Sequence, residues 1–375
     1  MNTLRYLVGR RPSMPASTTT EAQTSSRSRR ALAAVPLALA LVASSAVSVF
    51  ATPPGVNGRI TFMQRDADGQ FQIVVANPDL SHQTQITPGT SDGWFPGWSP
   101  DGSRIVFASH QSDPDPEDAV EIMDVYTMRP DGSDVHKVTD SVGYSGAASW
   151  SPDGRWIVYS ADRASYPSDQ GIYIIPSDGS APPRRITSLP SSSFWQELAR
   201  FSPDGSQIVF TEYRGGHVLR NHRDGNLVGE QSSLFTVRPD GSGLRQITAW
   251  GIHASDADWS PDGKRLVFGA QPTHIGNIGD VMISDADGGH LRDLTQDHGF
   301  TGCCNANAVW YEESINPAWS PDGSKVIFLY ARYTAEDGFV AGLKTMNPDG
   351  SGRAFIGSEP VDGHQPDWGS AAIVP

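Results

Sequence analysis

Six residues at one repeated position of the sequence carry side chains that can bind a ligand. Each lies six residues before an aromatic residue that begins a recurring phrase. They are Asp92, Tyr144, Trp195, His253, Glu313 and Asp362. Carboxylates, imidazole and aromatic rings can together hold a cation, a sugar or a peptide. With the nearby His364, they are our predicted ligand-binding residues. Ordinary solvated loops of an acidic protein carry the same residue types, so that interpretation stays open.

Catalysis at the same positions is an alternative. Glu313 and Asp362 would suit glycoside chemistry if the fold placed them at a suitable separation. Residues 89–93 match Gly-x-Ser-x-Gly, but a nucleophile of that type needs a preceding strand and a following helix, and the surrounding sequence predicts a strand and a loop. The histidines lack the close spacing that is typical of a metal site. We therefore predict no catalytic residue and no cofactor, and leave a metal site open.

Two long stretches between predicted strands are further candidates, because long loops often carry recognition. The first, 112–124, is acidic and would suit Ca²⁺ or a solvated surface, although it lacks the ligand spacing of an EF-hand. Its acidic residues include Asp113, Asp115, Glu117 and Asp118. The second stretch, 297–314, is a predicted partner contact, and its candidate residues are Cys303, Cys304, Trp310 and Tyr311. The adjacent cysteines are compatible with a strained disulfide or with free thiols.

The elements that must position these residues are visible in the recurring phrase itself. It occurs as WSPDGSRIVF, WSPDGRWIVY, FSPDGSQIVF, WSPDGKRLVF and WSPDGSKVIF, and a shortened copy, DWGSAAIVP, lies near the C-terminus. Pro, Asp and Gly favour successive positions of a tight turn, so strands should flank each Ser-Pro-Asp-Gly. A second turn of the RPDGS or NPDGS type follows in most copies. Each unit therefore predicts two hairpins, or four antiparallel strands.

The spacing of the phrases predicts the architecture. Successive copies begin 49 to 60 residues apart, which is the length of a four-stranded propeller blade. Residues 52–375 accommodate six such units, so we predict one all-β domain, a six-bladed β-propeller. Residues 59–87 supply three strands of one blade and the C-terminal QPDWG supplies its fourth. Pairing of the two chain ends would close the ring and remove an open sheet edge.

The repeated WSPDG phrase resembles the propeller of TolB-type proteins, the periplasmic component of the Tol and Pal system. The resemblance covers nearly all of 52–375 and implies the fold more strongly than any function. TolB itself has an α/β domain before its propeller, and residues 52–58 leave no room for one. Similar repeats accompany the hydrolase domain of prolyl oligopeptidase-like peptidases. We expect both additional domains to be lacking here.

Residues 1–51 predict an export signal with a long polar leader. A basic segment precedes the apolar stretch Ala31–Ala51, and Val49 and Ala51 occupy the positions that a signal peptidase reads. An uncleaved membrane anchor is the alternative, because a stretch of this length can span a bilayer. The arginine pair at 29–30 partly matches a twin-arginine signal, so both export routes stay open. Met14 is an alternative start.

The charge distribution restricts the class of partner. The whole chain has a formal net charge of -14, yet residues 1–51 contain six Arg and only one acidic residue. The rest is therefore more acidic still and should repel nucleic acid and anionic lipid. We expect a monomer in the periplasm, in the cell envelope or outside the cell, without membrane insertion of the mature domain. It would bind an envelope or extracellular protein, such as a lipoprotein, or a ligand. The alternative is a hydrolase or lyase acting on polysaccharide or peptide at the channel mouth.

Overall fold

The computed structural model describes residues 56–113, 122–162, 169–189, 194–214, 231–271, 279–296, 311–334, 338–357, 361 and 363–370. Within these ranges the regular structure is β-strand, apart from one turn of 3₁₀ helix at Trp250–Ile252. The strands form six antiparallel sheets of four strands each. The predicted all-β, six-bladed propeller is therefore confirmed.

The blades follow one another in chain order, and each begins with the strand nearest the central channel. Blade 1 contains β24 (Gly363–Trp368), β1 (Ile60–Arg65), β2 (Phe71–Ala76) and β3 (Thr84–Gln85). Blade 2 contains β4 (Trp94–Trp98), β5 (Ile105–Ser109), β6 (Asp124–Met128) and β7 (His136–Lys137). Blade 3 contains β8 (Tyr144–Trp150), β9 (Trp156–Asp162), β10 (Gly171–Pro176) and β11 (Arg184–Arg185).

The second half of the ring repeats this order. Blade 4 contains β12 (Phe194–Phe201), β13 (Ile208–Arg214), β14 (Gln231–Val237) and β15 (Arg245–Gln246). Blade 5 contains β16 (Ser255–Trp259), β17 (Arg265–Ala270), β18 (Asp280–Asp285) and β19 (Arg292–Asp293). Blade 6 contains β20 (Tyr311–Trp319), β21 (Val326–Thr334), β22 (Gly338–Met346) and β23 (Ala354–Phe355). Neighbouring inner strands touch all the way round, and β24 contacts both β20 and β4.

The C-terminal strand closes the ring as the sequence predicted. β24 pairs antiparallel with β1, with Trp368 opposite Ile60. The Trp368 indole N–H donates to the Gly58 carbonyl at 3.1 Å. Both ends of the described chain therefore share one sheet, and the edge that an open ring would expose is covered.

The Ser-Pro-Asp-Gly turns all lie at one end of the ring, which we call the tight-turn face. In blade 2 the Ser99 hydroxyl accepts from the Arg104 amide at 2.9 Å and donates to the Asp101 carboxylate at 2.7 Å. Gly102 has a φ of 66°, in the left-handed region that glycine adopts without a steric penalty. Blades 3 to 6 repeat the serine contacts through Ser151, Ser202, Ser260 and Ser320.

The glycine of the second turn has an additional reason to be glycine. A Cβ atom placed on Gly288 would lie 1.8 Å from the Ile247 carbonyl oxygen of the preceding blade. One placed on Gly132 would lie 2.3 Å from the Ile86 carbonyl oxygen. These turns therefore pack backbone against backbone between blades, where no side chain fits.

A threonine that follows the short outer strand fastens that strand to its blade. In blade 2, Thr139 Oγ1 accepts from the Val125 amide at 2.9 Å and donates to the buried Asp124 carboxylate at 2.7 Å. Blades 1 and 5 use the same arrangement, with Thr87 and Thr295 donating to Gln72 and Asp280 of their own blades, whereas Thr187 of blade 3 donates to Gln196 on the inner strand of blade 4. The recurrence of Thr in the sequence thus has a local hydrogen-bonding cause.

The hydrophobic core consists of clusters between adjacent blades, and the aromatic residue that begins each phrase contributes to them. Trp319 is 1% exposed and belongs to a cluster with Val267 of blade 5 and Phe328 of blade 6. The inner strands are consequently held by side-chain packing on both faces, and the channel is bordered by a rigid wall.

Candidate functional site

Each inner strand carries an irregularity at the same level of the channel. Three residues before the phrase aromatic, a non-glycine residue has a φ between 48° and 58°. These residues are Phe95, Ala147, Leu198, Asp256, Asn316 and Gln365. The strand register shifts at the same place in every blade. Such bulges redirect side chains, and non-glycine residues in this region cost about 1–3 kcal/mol each.

Nearer the tight-turn face than these bulges, an arginine side chain extends across the channel. Arg200, on β12 of blade 4, places Nη1 3.2 Å from Oδ1 of Asp367, on β24 of the opposite blade 1. The same Nη1 lies 3.9 Å from Oδ1 of Asp258, on β16 of blade 5. The Asp258 side chain is 7% exposed and that of Arg200 is 26% exposed. The charged groups of the channel therefore interact with one another across the ring.

The two carboxylates also hold backbone groups of the next blade. Asp367 accepts from the Trp98 amide at 2.7 Å, and Asp258 accepts from the Trp319 amide at 2.8 Å. Farther from the tight-turn face, at the bulges, the Gln365 side-chain amide of blade 1 donates to the Asp256 carboxylate of blade 5 at 2.9 Å. Polar contacts across the channel thus join blades 1, 4 and 5.

Burial acts against the charged forms of both Asp258 and Arg200. It raises the pKa of Asp258 to about 6, although the Arg200 guanidinium and the Trp319 amide act in the opposite direction. Burial alone would lower the pKa of Arg200, but the charges of Asp258 and Asp367 outweigh it and raise that pKa. One cation is shared by the buried Asp258 and the partly exposed Asp367, so the less closely paired Asp258 retains an elevated proton affinity.

At the other end of the inner strands lies the loop face, where the longer connections and the described members of the predicted ligand-binding set are found. Tyr144 of blade 3 and Trp195 of blade 4 are brought together, with ring centroids 5.8 Å apart. Both side chains are half-buried. Two neighbouring blades therefore present a joint aromatic surface at the predicted level.

The predicted residue Asp92 is the centre of a hydrogen-bonding hub. Its carboxylate accepts from the Ser109 hydroxyl at 3.0 Å, from the Trp94 indole at 2.5 Å and from the His110 amide at 2.9 Å. It also pairs with His110 Nδ1. Burial by itself would raise the pKa of Asp92, but the His110 contacts outweigh it and hold that pKa below its usual value. Asp92 consequently fixes the imidazole ring of His110.

The remaining predicted residues occupy separate positions. His364 packs edge-on against Phe71 with centroids 5.2 Å apart, and Phe71 packs against Trp94 at 4.7 Å. His253 follows the 3₁₀ turn, and its Nε2 is buried with no hydrogen-bond partner among the described atoms. Glu313 is half-buried on β20.

Several predictions fall beyond the part of the chain that the structure describes. Asp362, Cys303, Cys304 and Trp310 lie outside it, and Tyr311 is described only as the first backbone position of β20. Most of the acidic loop is also outside, so the Ca²⁺ prediction stays a prediction. In the described ranges, no group of three or more His, Cys, Asp or Glu residues is arranged to hold a metal ion. The same ranges contain no helix long and apolar enough to cross a membrane.

Sequence reasoning missed Arg200 and His110. Arg200 occupies the position directly before the phrase aromatic, as Asp258 and Asp367 do. Comparing that position between the repeats would have shown one basic residue facing two acidic ones. His110 has no such signal, because its partner Asp92 lies in the connection from the preceding blade.

The comparisons with known proteins agree with the propeller fold. A family model described as the TolB beta propeller domain matches residues 95–226. The crystal structure of TolB from Acinetobacter baumannii superposes with a TM-score of 0.60 at 21% identity, over 83% of this chain and 66% of that one. This chain folds as a six-bladed β-propeller that resembles the TolB propeller. An oligogalacturonate lyase in complex with manganese shares the fold of this TolB-like propeller at a TM-score of 0.52 and 14% identity, over 83% of this chain and 76% of that one.

Sequence relatives of the TolB-like propeller differ in their descriptions. An uncharacterized protein of Agrobacterium fabrum is 26% identical over 64% of this chain and 84% of its own length. The Bacillus subtilis protein YuxL, described as an uncharacterized peptidase, is 32% identical over 48% of this chain and 29% of its own length. The Tol-Pal system protein TolB of Francisella tularensis is 28% identical over 46% and 34%. The matches to YuxL and to this TolB thus span about a third of those proteins or less.

Proposed function

We propose that this propeller is an exported, non-catalytic module that binds an envelope or extracellular protein or ligand at the loop-face mouth of its channel. The observation that carries the proposal is the joint aromatic surface of Tyr144 and Trp195, half-buried and contributed by two blades. Large, rigid aromatic side chains supply contact area at low entropic cost and are enriched at recognition sites.

The deeper charged groups have a different role, which supports assigning binding to the mouth. Arg200, Asp258 and Asp367 interact with one another and with backbone amides of adjacent blades. They therefore stabilise the ring, and a ligand at the mouth would bind without disturbing them.

The N-terminal sequence and one relative support the location and the kind of partner. Residues 1–51 have the pattern of an export signal. The Francisella tularensis relative is named as part of the Tol-Pal system. We accordingly propose a partner in the periplasm, in the envelope or outside the cell, for example a lipoprotein.

The test compares matched tryptophan variants of the full chain after export. Trp195→Ala removes half of the aromatic surface, whereas Trp156→Ala removes a 40% exposed Trp at the start of the strand that follows a Ser-Pro-Asp-Gly turn. Each variant serves as bait in affinity capture from envelope and secreted extracts, quantified by mass spectrometry. We expect Trp195→Ala to capture at least tenfold less of the partner than the wild type captures. Trp156→Ala should capture as much of it as the wild type. The reverse pattern would move the site to the tight-turn face.

A second candidate function is a hydrolase or lyase acting on polysaccharide or peptide. The contact between Asp92 and His110 favours it, because a carboxylate that orients an imidazole is a common feature of general bases. Incubation with glycan and peptide mixtures tests this alternative. Shortened products that disappear in His110→Ala and persist in His136→Ala, an exposed histidine paired with Asp134, would establish it and overturn the non-catalytic proposal.

A further inference from the structure

The ring-closing strand β24 depends on contacts made across the channel. The other five inner strands are each followed by a short turn into the second strand of the same blade. No turn of the chain links β24 to β1; the two strands pair through hydrogen bonds, and Trp368 packs among residues of blades 1 and 6. Two of its polar side chains reach across the channel: Asp367 pairs with Arg200 of blade 4, and Gln365 donates to Asp256 of blade 5. These contacts therefore act on the blade whose first two strands are not joined by a turn of the chain.

Arg200 is shared unequally between two carboxylates. Its Nη1 lies 3.2 Å from Asp367 and 3.9 Å from Asp258. An ionised Asp258 draws the guanidinium away from Asp367, because both attractions act on one cation. A protonated Asp258 exerts no such attraction. The ionisation of one buried group thus decides how firmly Arg200 holds the closing strand.

The surroundings of Asp258 supply no second cation among the described residues that act on it. Arg200 on β12 attracts its charge and Asp367 on β24 opposes it. Asp256, on the same strand, acts on Arg200. From β20 the neighbour is the Trp319 amide, and Arg265 of β17 stacks on the Trp319 ring at 4.9 Å. One guanidinium therefore faces the buried Asp258 and the partly exposed Asp256 and Asp367.

We propose that Arg200, Asp258 and Asp367 form a proton-sensitive fastener of β24. When Asp258 takes up one proton from solvent at a carboxylate oxygen, Arg200 pairs with Asp367 alone and the closing strand is held more tightly. The inference does not depend on the proposed binding function, because it concerns the ring itself.

The direction of the pH effect follows from proton linkage. Burial raises the pKa of Asp258 from 3.8 to about 6 in the closed ring, and opening the strand to water would return it towards 3.8. The closed ring therefore binds the proton more strongly, so protection of β24 increases as the pH falls from 7.5 to 5. With these pKa values the gain is roughly tenfold over that interval.

Hydrogen–deuterium exchange of the full chain, read by mass spectrometry on peptides covering 363–370, measures this protection. After correction for intrinsic exchange rates, the wild type should gain roughly tenfold protection between pH 7.5 and pH 5. Asp258→Asn mimics the protonated state, so its protection at pH 7.5 should already match that of the wild type at pH 5. A wild-type pH dependence that persists in Asp258→Asn would overturn the proposal.

Two further variants distinguish the effect of the fastener on β24 from a general effect of removing a carboxylate. Asp140→Asn changes a carboxylate that is 97% exposed, and it should retain the full pH response. Asp367→Asn removes the partner of Arg200, so β24 should be less protected than in the wild type at both pH values. If Asp367→Asn keeps wild-type protection of β24, Arg200 does not hold the closing strand and the proposal is wrong. Should Asp367→Asn fail to fold, the comparison of Asp258→Asn with Asp140→Asn decides alone.

Discussion

The two ends of the propeller are built by different rules. On the tight-turn face, five or six residues connect the first strand to the second in blades 2 to 6, and the same serine and aspartate contacts recur. On the loop face, the connections from the second strand to the third range from 3 to 16 residues. Repetition marks what the fold requires, and variation marks where a binding function can be added without disturbing it.

The two ends also use the same residue types differently. A tryptophan on the tight-turn side, such as Trp319, is 1% exposed between two blades. Trp195, near the loop face, is half-buried against Tyr144. Carboxylates follow the same division, since Asp101 closes a turn and Asp92 orients a histidine. The position of a residue along the inner strand therefore says more about its role than its type does.

The largest expected difference between the two ends is the loss in unfolding free energy when a tryptophan is replaced by alanine. Trp319→Ala empties a fully enclosed site and should lower the free energy of unfolding by about 3–5 kcal/mol. Trp195→Ala leaves a partly solvated gap and should cost no more than about 2 kcal/mol. Urea unfolding followed by circular dichroism at pH 7 measures both values. Equal losses would show that the loop face is as tightly packed as the interior.

Glycine substitutions sharpen the comparison within the tight-turn face. Gly154 has a φ of 69°, and a Cβ added there would have no other atom within 4 Å, whereas a Cβ on Gly288 would lie 1.8 Å from the Ile247 carbonyl oxygen. Gly154→Ala should cost about 1–2 kcal/mol through its backbone conformation alone. Gly288→Ala should cost more, because the blades must also move apart. Similar unfolding free energies for the two variants would remove the role assigned to contact between blades.

The sequence was sufficient for the fold because the fold depends on local, repeated chemistry. The turn contacts of Ser99 and Asp101 join residues two to five positions apart, so they can be inferred from one phrase. The contact between Arg200 and Asp367 joins residues 167 positions apart and exists only because blades 4 and 1 face each other across the channel. The pairing of Asp92 with His110 likewise depends on where two connections meet. The loop-face site is therefore less predictable than the ring that carries it.

An intermediate effect is expected from the threonine that fastens the outer strand. Thr139→Val removes an acceptor of the Val125 amide and a donor to the buried Asp124. Leaving buried polar groups with fewer partners should lower the unfolding free energy by about 1–3 kcal/mol. Thr84→Val is the matched control, because Thr84 is exposed and, among the described residues, its hydroxyl makes one long hydrogen bond, to the His82 carbonyl at 3.4 Å. A loss of the same size in both variants would indicate a general effect of β-branched apolar substitution.

The smallest expected effect is the pH dependence of stability that the turn carboxylates cause, and its sign is opposite to that of the channel carboxylate Asp258. In the Ser-Pro-Asp-Gly turn of blade 6, burial would raise the pKa of Asp322, but hydrogen bonds from Ser320 and Ser324 outweigh it and lower that pKa. The contribution of Asp322 to the free energy of unfolding is therefore present above pH 4 and is lost as the pH falls through the lowered pKa. Asp258 has the opposite effect, because its contribution grows as the pH falls from 7 to 4. Each turn should account for less than about 1 kcal/mol. Urea unfolding of wild type and Asp322→Asn at pH 5, 4 and 3 should show a shallower acid loss in the variant. An unchanged slope would assign the acid sensitivity to carboxylates elsewhere in the ring.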